Sequence, residues 1–174
     1  VVPIGLFLIV HFYTHNYSWQ GPEEWDARLD ALYSRPLWLW FEVLFIYLPI
    51  AFHAGLGVYL SLRARPNFAR NPYFGNLKYA MQRLSGLGLV VFVVAHVIKT
   101  RFSAALLHEP LSWAHMNIGL HHALTLSTYV LGIAGASFHL ANGLWTFLIS
   151  WGFTRGPRAY RRTEAASIVA FLVL

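Results

Sequence analysis

Between Leu120 and Thr154 the chain runs for 35 residues without a single Asp, Glu, Lys or Arg. A bilayer core about 30 Å thick is crossed by roughly 20 mostly apolar residues in a helix, so a charge-free run of this length reads as a tilted span that projects beyond the lipid. Three further runs belong to the same class. Leu37 to Leu62 carries one charge, Glu42, and Leu84 to Ile98 carries none, its helix starting earlier, around Leu77. Val1 to Tyr13 is apolar from its first residue but reaches only about 20 Å as a helix, so this span is expected to be cut at its start. A fifth run, Ala165 to Leu174, breaks off in mid-helix. The opening run has no basic flank and no cleavage site, which argues against a signal peptide. The expected architecture is an all-α membrane protein, a single domain over 1–174, with five transmembrane helices of which the first four form a bundle, both chain ends being truncated.

Composition narrows the chemistry. Only 11% of the residues are charged against 57% apolar, which excludes an ordinary soluble domain. Cysteine is absent, so the chain itself supplies no disulfide, zinc thiolate, iron–sulfur ligand or thiol nucleophile. The net charge of +6 is assigned to a membrane surface and not to nucleic acid. Arg63, Arg65, Arg70, Lys78, Arg83, Arg155, Arg158, Arg161 and Arg162 fall in the stretches 63–83 and 155–163, whereas 14–36 and 99–119 hold only Arg28, Arg35, Lys99 and Arg101. The positive-inside bias then puts the N-terminus and the first pair of stretches in the cytoplasm. Most of the tryptophans read as an interfacial belt.

His11, His53, His96 and His139 lie in four different apolar runs, spaced by 42, 43 and 43 residues. Ionisable groups inside membrane helices are costly and usually face the bundle interior, where they bind or relay something. Counting at about 1.5 Å per residue from the flanking charges places His96 and His11 near the outer ends of their helices, and His53 and His139 in the inner halves. The four sort into an outer pair, His11 with His96, and an inner pair, His53 with His139. Two imidazoles facing each other across a bundle can clamp a haem iron from both sides, which leaves no position for oxygen and suits electron transfer. Gly132, Ala136 and Gly143 share the His139 face at i, i+4 and i+11 offsets and would make room for a flat macrocycle, with Gly57 one turn beyond His53; close helix packing is the competing reading of these glycines. Pro49, four residues before His53, is a candidate kink. His15, His108 and His115 fall in outer loops, and His121 and His122 open the fourth long helix; loop or interfacial roles are assigned to all five.

The segments VPIGLFLIVH, FEVLFIYLPIAFHAGLGVY, MQRLSGLGLVVFVVAHVIKTR and YVLGIAGASFHLANGLWTFLISWGFTRGPR, each carrying one of these histidines, resemble the two-haem cytochrome b membrane anchor of succinate:quinone oxidoreductases. The resemblance implies five transmembrane helices in a bacterial cytoplasmic membrane. It implies a proximal haem b on His53 and His139 and a distal haem b on His11 and His96. It further implies a flavoprotein subunit carrying FAD and an iron–sulfur subunit on the cytoplasmic face, with electrons passing to a membrane quinone, commonly menaquinone. The dicarboxylate chemistry would belong to the partner subunits. The quinone site is expected near the distal haem, where Glu42, the candidate catalytic residue, either exchanges protons with bound quinol or snorkels to water. Arg101 and Lys99 are candidates for pairing with distal propionates and Arg83 with proximal ones, although interfacial anchoring is the favoured reading of Lys99. Some fumarate reductases of this type carry a carboxylate two residues before the last ligand, where this chain has Ser137, a departure that leans towards succinate oxidation. A cytochrome b serving a hydrogenase or formate dehydrogenase, and a non-redox transporter, are the competing readings.

Overall fold

The computed structural model describes residues 2–65, 67, 69–108 and 111–174, so Val1, where the first apolar run begins, lies outside the described residues. These residues form helices and turns with no strand among them, as lipid-facing apolar runs require when their backbone groups must bond within the segment. In chain order the helices are α1 (Val2–His15), α2 (Pro22–Tyr33), α3 (Trp38–Arg63), α4 (Phe74–Leu106), α5 (Trp113–Leu120), α6 (Ala123–Ser150) and α7 (Pro157–Val173). Three of them, α3, α4 and α6, are long and apolar enough to cross a membrane. These match three of the five expected spans; α1, with 14 residues, and α7, with 17, are shorter.

Two compact units share these helices, one comprising Val1–Leu56 with Phe92–Tyr129 and the other Gly57–Val91 with Val130–Leu174. In the first unit α1 ends in a short 3-10 turn, Asn16–Gln20. Gly21 then takes φ +111°, a value that side chains rarely tolerate, and Pro22 starts α2 with Glu23 and Glu24 in its first turn. Helix α2 packs on α5, whose first backbone N–H, Trp113 N–H, donates to Asp26 Oδ1 at 2.7 Å. Ser112 caps α5 by accepting from the His115 N–H at 3.3 Å. The stretches that read as outer loops are thus built segments.

Both spans that reach the first unit's polar cluster widen locally. In α3 the residues Glu42–Tyr47 form a π-helical turn, in which the Leu48 N–H bonds the Val43 carbonyl. Pro49 follows at once and has no N–H to offer Phe45, so the expected kink is taken up as a widened turn upstream of it. In α4 a second π turn covers Ile98–Phe102. Here hydroxyl groups supply the extra bonds: Thr100 Oγ1 donates to the His96 carbonyl at 2.7 Å and Ser103 Oγ to the Ile98 carbonyl at 2.9 Å.

The second unit is organised by α6, which buries Gly132, Ala136, Ser137, Ala141, Asn142 and Trp145. Small residues on this face let α7 approach closely enough for Ser167 Oγ to donate to the Ala141 carbonyl at 2.9 Å. Phe138 meets Phe171 edge-on at 6.0 Å, and Trp145 meets Tyr160 at 5.4 Å. Lys78 of α4, 9% exposed, pairs with Glu164 of α7 while its ammonium lies 4.0 Å from the Trp145 ring centre. Removing Glu164 leaves that ammonium in an apolar setting, and Glu164→Ala is expected to destabilise the protein by about 1–3 kcal/mol, read as a lower thermal midpoint in detergent. Lys78→Met in the same chain should recover most of the loss. A single variant as stable as the parent would show that the pair contributes nothing.

Candidate functional site

Helices α1 and α4 bring two of the four intramembrane histidines together. The His11 and His96 rings stand 6.0 Å apart between centres, with their planes at 83°. Taking the ~2.0–2.1 Å bond of an imidazole nitrogen to zinc as a guide, two rings clamping one metal ion would stand roughly 6 Å apart between centres. The outer pair read from the sequence thus has a separation that fits a shared iron. His96 is further held by Tyr129 of α6, whose hydroxyl lies 3.1 Å from His96 Nδ1, and its ring stacks on Phe92 at 5.8 Å.

His15, read from the sequence as a loop residue, is instead the last residue of α1 and lies edge-on to His11 at 4.3 Å, with Trp25 of α2 at 4.8 Å on it. Its i, i+4 spacing from His11 was the available signal. A cavity of about 180 Å³ opens beside His96, lined by Phe92, Lys99, Thr125, Thr128 and Tyr129. Lys99 Nζ donates to Thr125 Oγ1 at 3.3 Å across it.

Glu42 is 5% exposed, which removes the reading of an interfacial carboxylate snorkelling to water. It takes both arms of Arg101: Nε lies 3.2 Å from Oε1 and 3.1 Å from Oε2, and Nη2 lies 3.0 Å from Oε2. Arg101, expected to pair with a distal propionate, is paired here with a carboxylate of its own chain, and its guanidinium lies 4.6 Å from the Tyr33 ring centre. Both partners sit in the π turns described above, which aim them at each other. Burial, and next the Glu42 carboxylate, raise the Tyr33 phenol above its ordinary range against the opposing pull of Arg101. The result is a charged pair inside an apolar region, backed by a phenol. A site of this kind can accept or release a proton.

His53 belongs to the first unit, on α3, and is partly buried. His139 belongs to the second unit, on α6. There Gln82 and Ser85 of α4 surround its Nδ1: Gln82 O, Gln82 Nε2 and Ser85 Oγ each lie 3.2 Å away. Gln82 was not singled out from the sequence, because beside Arg83 it reads as part of a polar helix end. Gly132 is buried on the His139 helix, and a Cβ on Gly143 would meet Gln82 Nε2 at 3.4 Å, so Gly143 makes room for Gln82.

Arg83 donates through Nη1 to the Leu60 carbonyl at 3.0 Å and through Nη2 to the Tyr79 hydroxyl. Its Nε is buried without a partner among the described residues, a donor suited to an acidic group. Among the described residues there is no group of three or more His, Cys, Asp or Glu side chains placed to hold a metal ion. A porphyrin-borne iron asks for only two protein ligands.

No solved structure matches the chain. A curated relative, the succinate dehydrogenase cytochrome b558 subunit of Bacillus subtilis (strain 168), is 32% identical over 174 residues, which covers 100% of this chain and 86% of that protein. The family described as succinate dehydrogenase/fumarate reductase transmembrane subunit matches residues 71–174, the part that holds α4 to α7 with His96 and His139. With that match over more than half of its length and a relative aligned from end to end, the chain belongs to the succinate dehydrogenase/fumarate reductase transmembrane subunit family.

Proposed function

We propose that the chain is the cytochrome b anchor of a succinate dehydrogenase, carrying electrons from an iron–sulfur subunit through two haems b to a membrane quinone, menaquinone in the first instance. The observation that carries this reading is the pair His11 and His96, two imidazoles from separate helices at a separation that fits one iron. The name of the Bacillus relative, a cytochrome b558 subunit of succinate dehydrogenase, supports the same chemistry. His53 and His139 are proposed as the second pair, by the depth argument. A haem held by two imidazoles has no open position and supplies one-electron transfer.

The chain's own residues do the rest. His11 and His96 hold the distal group, Tyr129 orients His96, and Arg83 offers its Nε to a proximal propionate. Glu42 relays protons to the quinone, with Arg101 paired to it and Tyr33 behind the pair. Gly132, buried on the His139 helix, would leave room for the macrocycle, and Gly143 leaves room for Gln82. Five spans, with α1 the first and α7 the last, would put the N-terminus in the cytoplasm of a bacterium, and the FAD-bearing flavoprotein and iron–sulfur subunits would dock on that side.

The test is a reduced-minus-oxidised absorption spectrum of the complex purified through this chain. Succinate should reduce b-type haem in it, and a flavin-containing subunit should co-purify. A complex with haem that succinate fails to reduce would point to a cytochrome b of another oxidoreductase. A preparation without any haem band would point to a non-redox protein.

A further inference from the structure

The contacts of His139 with α4 centre on Gln82. On α4, Gln82, Ser85 and Gly86 follow at i, i+3 and i+4 and therefore share a face; on α6, His139 and Asn142 are one turn apart. Asn142 Nδ2 donates to Gln82 Oε1 at 2.8 Å, which fixes the amide so that its NH2 end points to His139. That NH2 donates to the His139 carbonyl at 3.1 Å and lies 3.2 Å from His139 Nδ1. The Gln82 main-chain carbonyl, which can only accept, lies 3.2 Å from His139 Nδ1 and also receives Ser85 Oγ at 3.1 Å. The Gln82 carbonyl, the Gln82 NH2 and Ser85 Oγ all address Nδ1 from one side, which sets the ring's orientation, and Nε2 is the nitrogen a metal would bind. Gly86 completes the cradle. A Cβ there would stand 3.0 Å from His139 Cε1, tighter than ordinary contact, so the imidazole lies directly on the glycine.

We propose that Gln82 is the positioning residue of the His139 ligand: clamped by Asn142, it fixes the ring orientation of His139 over Gly86 and so tunes the haem that His139 holds. This rests on the reading of His139 as a haem ligand. Partners of a ligand's distal nitrogen orient the ring and raise its basicity, and their loss typically weakens metal retention ~10–100-fold. A carboxylate in place of the amide keeps the acceptor for Asn142 but adds negative charge beside Nδ1. It makes the imidazole a stronger donor and favours the oxidised iron.

The experiment is a spectroscopic redox titration of both haems in the purified complex, for the parent, Gln82→Glu, Gln82→Leu, Gly86→Ala and His139→Ala. In Gln82→Glu one haem should shift to lower potential, with a roughly tenfold lower reduced-to-oxidised ratio at fixed ambient potential, which is about 59 mV for one electron. The other haem should stay put and serves as the folding control. Gln82→Leu should retain the same haem ~10–100-fold less tightly. Gly86→Ala should alter the spectrum of that haem alone. If His139→Ala loses a haem but the Gln82 and Gly86 variants titrate like the parent, the positioning role is overturned while the ligand reading stands. If His139→Ala keeps both haems, the ligand reading falls and the positioning role falls with it.

Discussion

Alanine in place of His96 is expected to remove one haem of two and to stop quinone reduction, while the remaining haem is still reduced by succinate. His11→Ala should give the same spectrum and the same block if, as proposed, both rings hold one iron. His53→Ala and His139→Ala should instead both remove the other haem and stop electron entry, so that succinate reduces neither the remaining haem nor the quinone. The effect is large because a clamp with one jaw leaves a position open and the group weakly held. The outer pair has direct geometric support, with ring centres 6.0 Å apart. The inner pair rests on counting residues from the flanking charges. Difference spectra of the four variants check both: if His53→Ala lost the same haem as His11→Ala, the pairing by alternate helices would be wrong.

Glu42→Gln should lower the rate of quinone reduction by about 10²–10⁴-fold, the usual contribution of a positioned proton-transfer group, with both haems still reduced by succinate. Quinone reduction consumes protons, and Glu42, buried beside Arg101, can take up a proton and pass it to the bound quinone, whereas the amide of Gln can do neither. Arg101→Leu is expected to be worse for stability, since it strands the carboxylate, at a cost of about 3–5 kcal/mol. The double variant Glu42→Gln with Arg101→Leu separates a structural role from a chemical one. It should regain thermal stability and remain slow with quinone. Recovery of quinone reduction in the double variant would show that the pair only holds helices together.

Much of this was legible in the sequence because lipid is an undemanding reader: it asks for long apolar runs, and α3, α4 and α6 answered with them. The four histidines stood out for the same reason, as polar groups that a hydrocarbon setting penalises. What was misread lies where a charge is cancelled by a partner far along the chain. The third long run was closed at Ile98, before Lys99 and Arg101, yet α4 continues to Leu106, because Arg101 is neutralised by Glu42, 59 residues away.

The outer stretches read as loops for want of an apolar run, but α2 and α5 fold on each other through Asp26 and the Trp113 N–H, and this brings Trp25 onto His15. Gln82 was passed over because its polarity, next to Arg83, matches a helix end; only the position of α6 shows that it faces His139 and Asn142. The π turns have no signature in composition. Pro49 hinted at one of them.

The most direct measurement is the amount and ligation of haem b per chain in the purified complex, from haem extraction together with a spectrum that reports the iron spin state. Two haems per chain, both low-spin in the oxidised form, are expected of four imidazoles acting in two clamps. A single haem per chain, or iron with an open axial position, would contradict it.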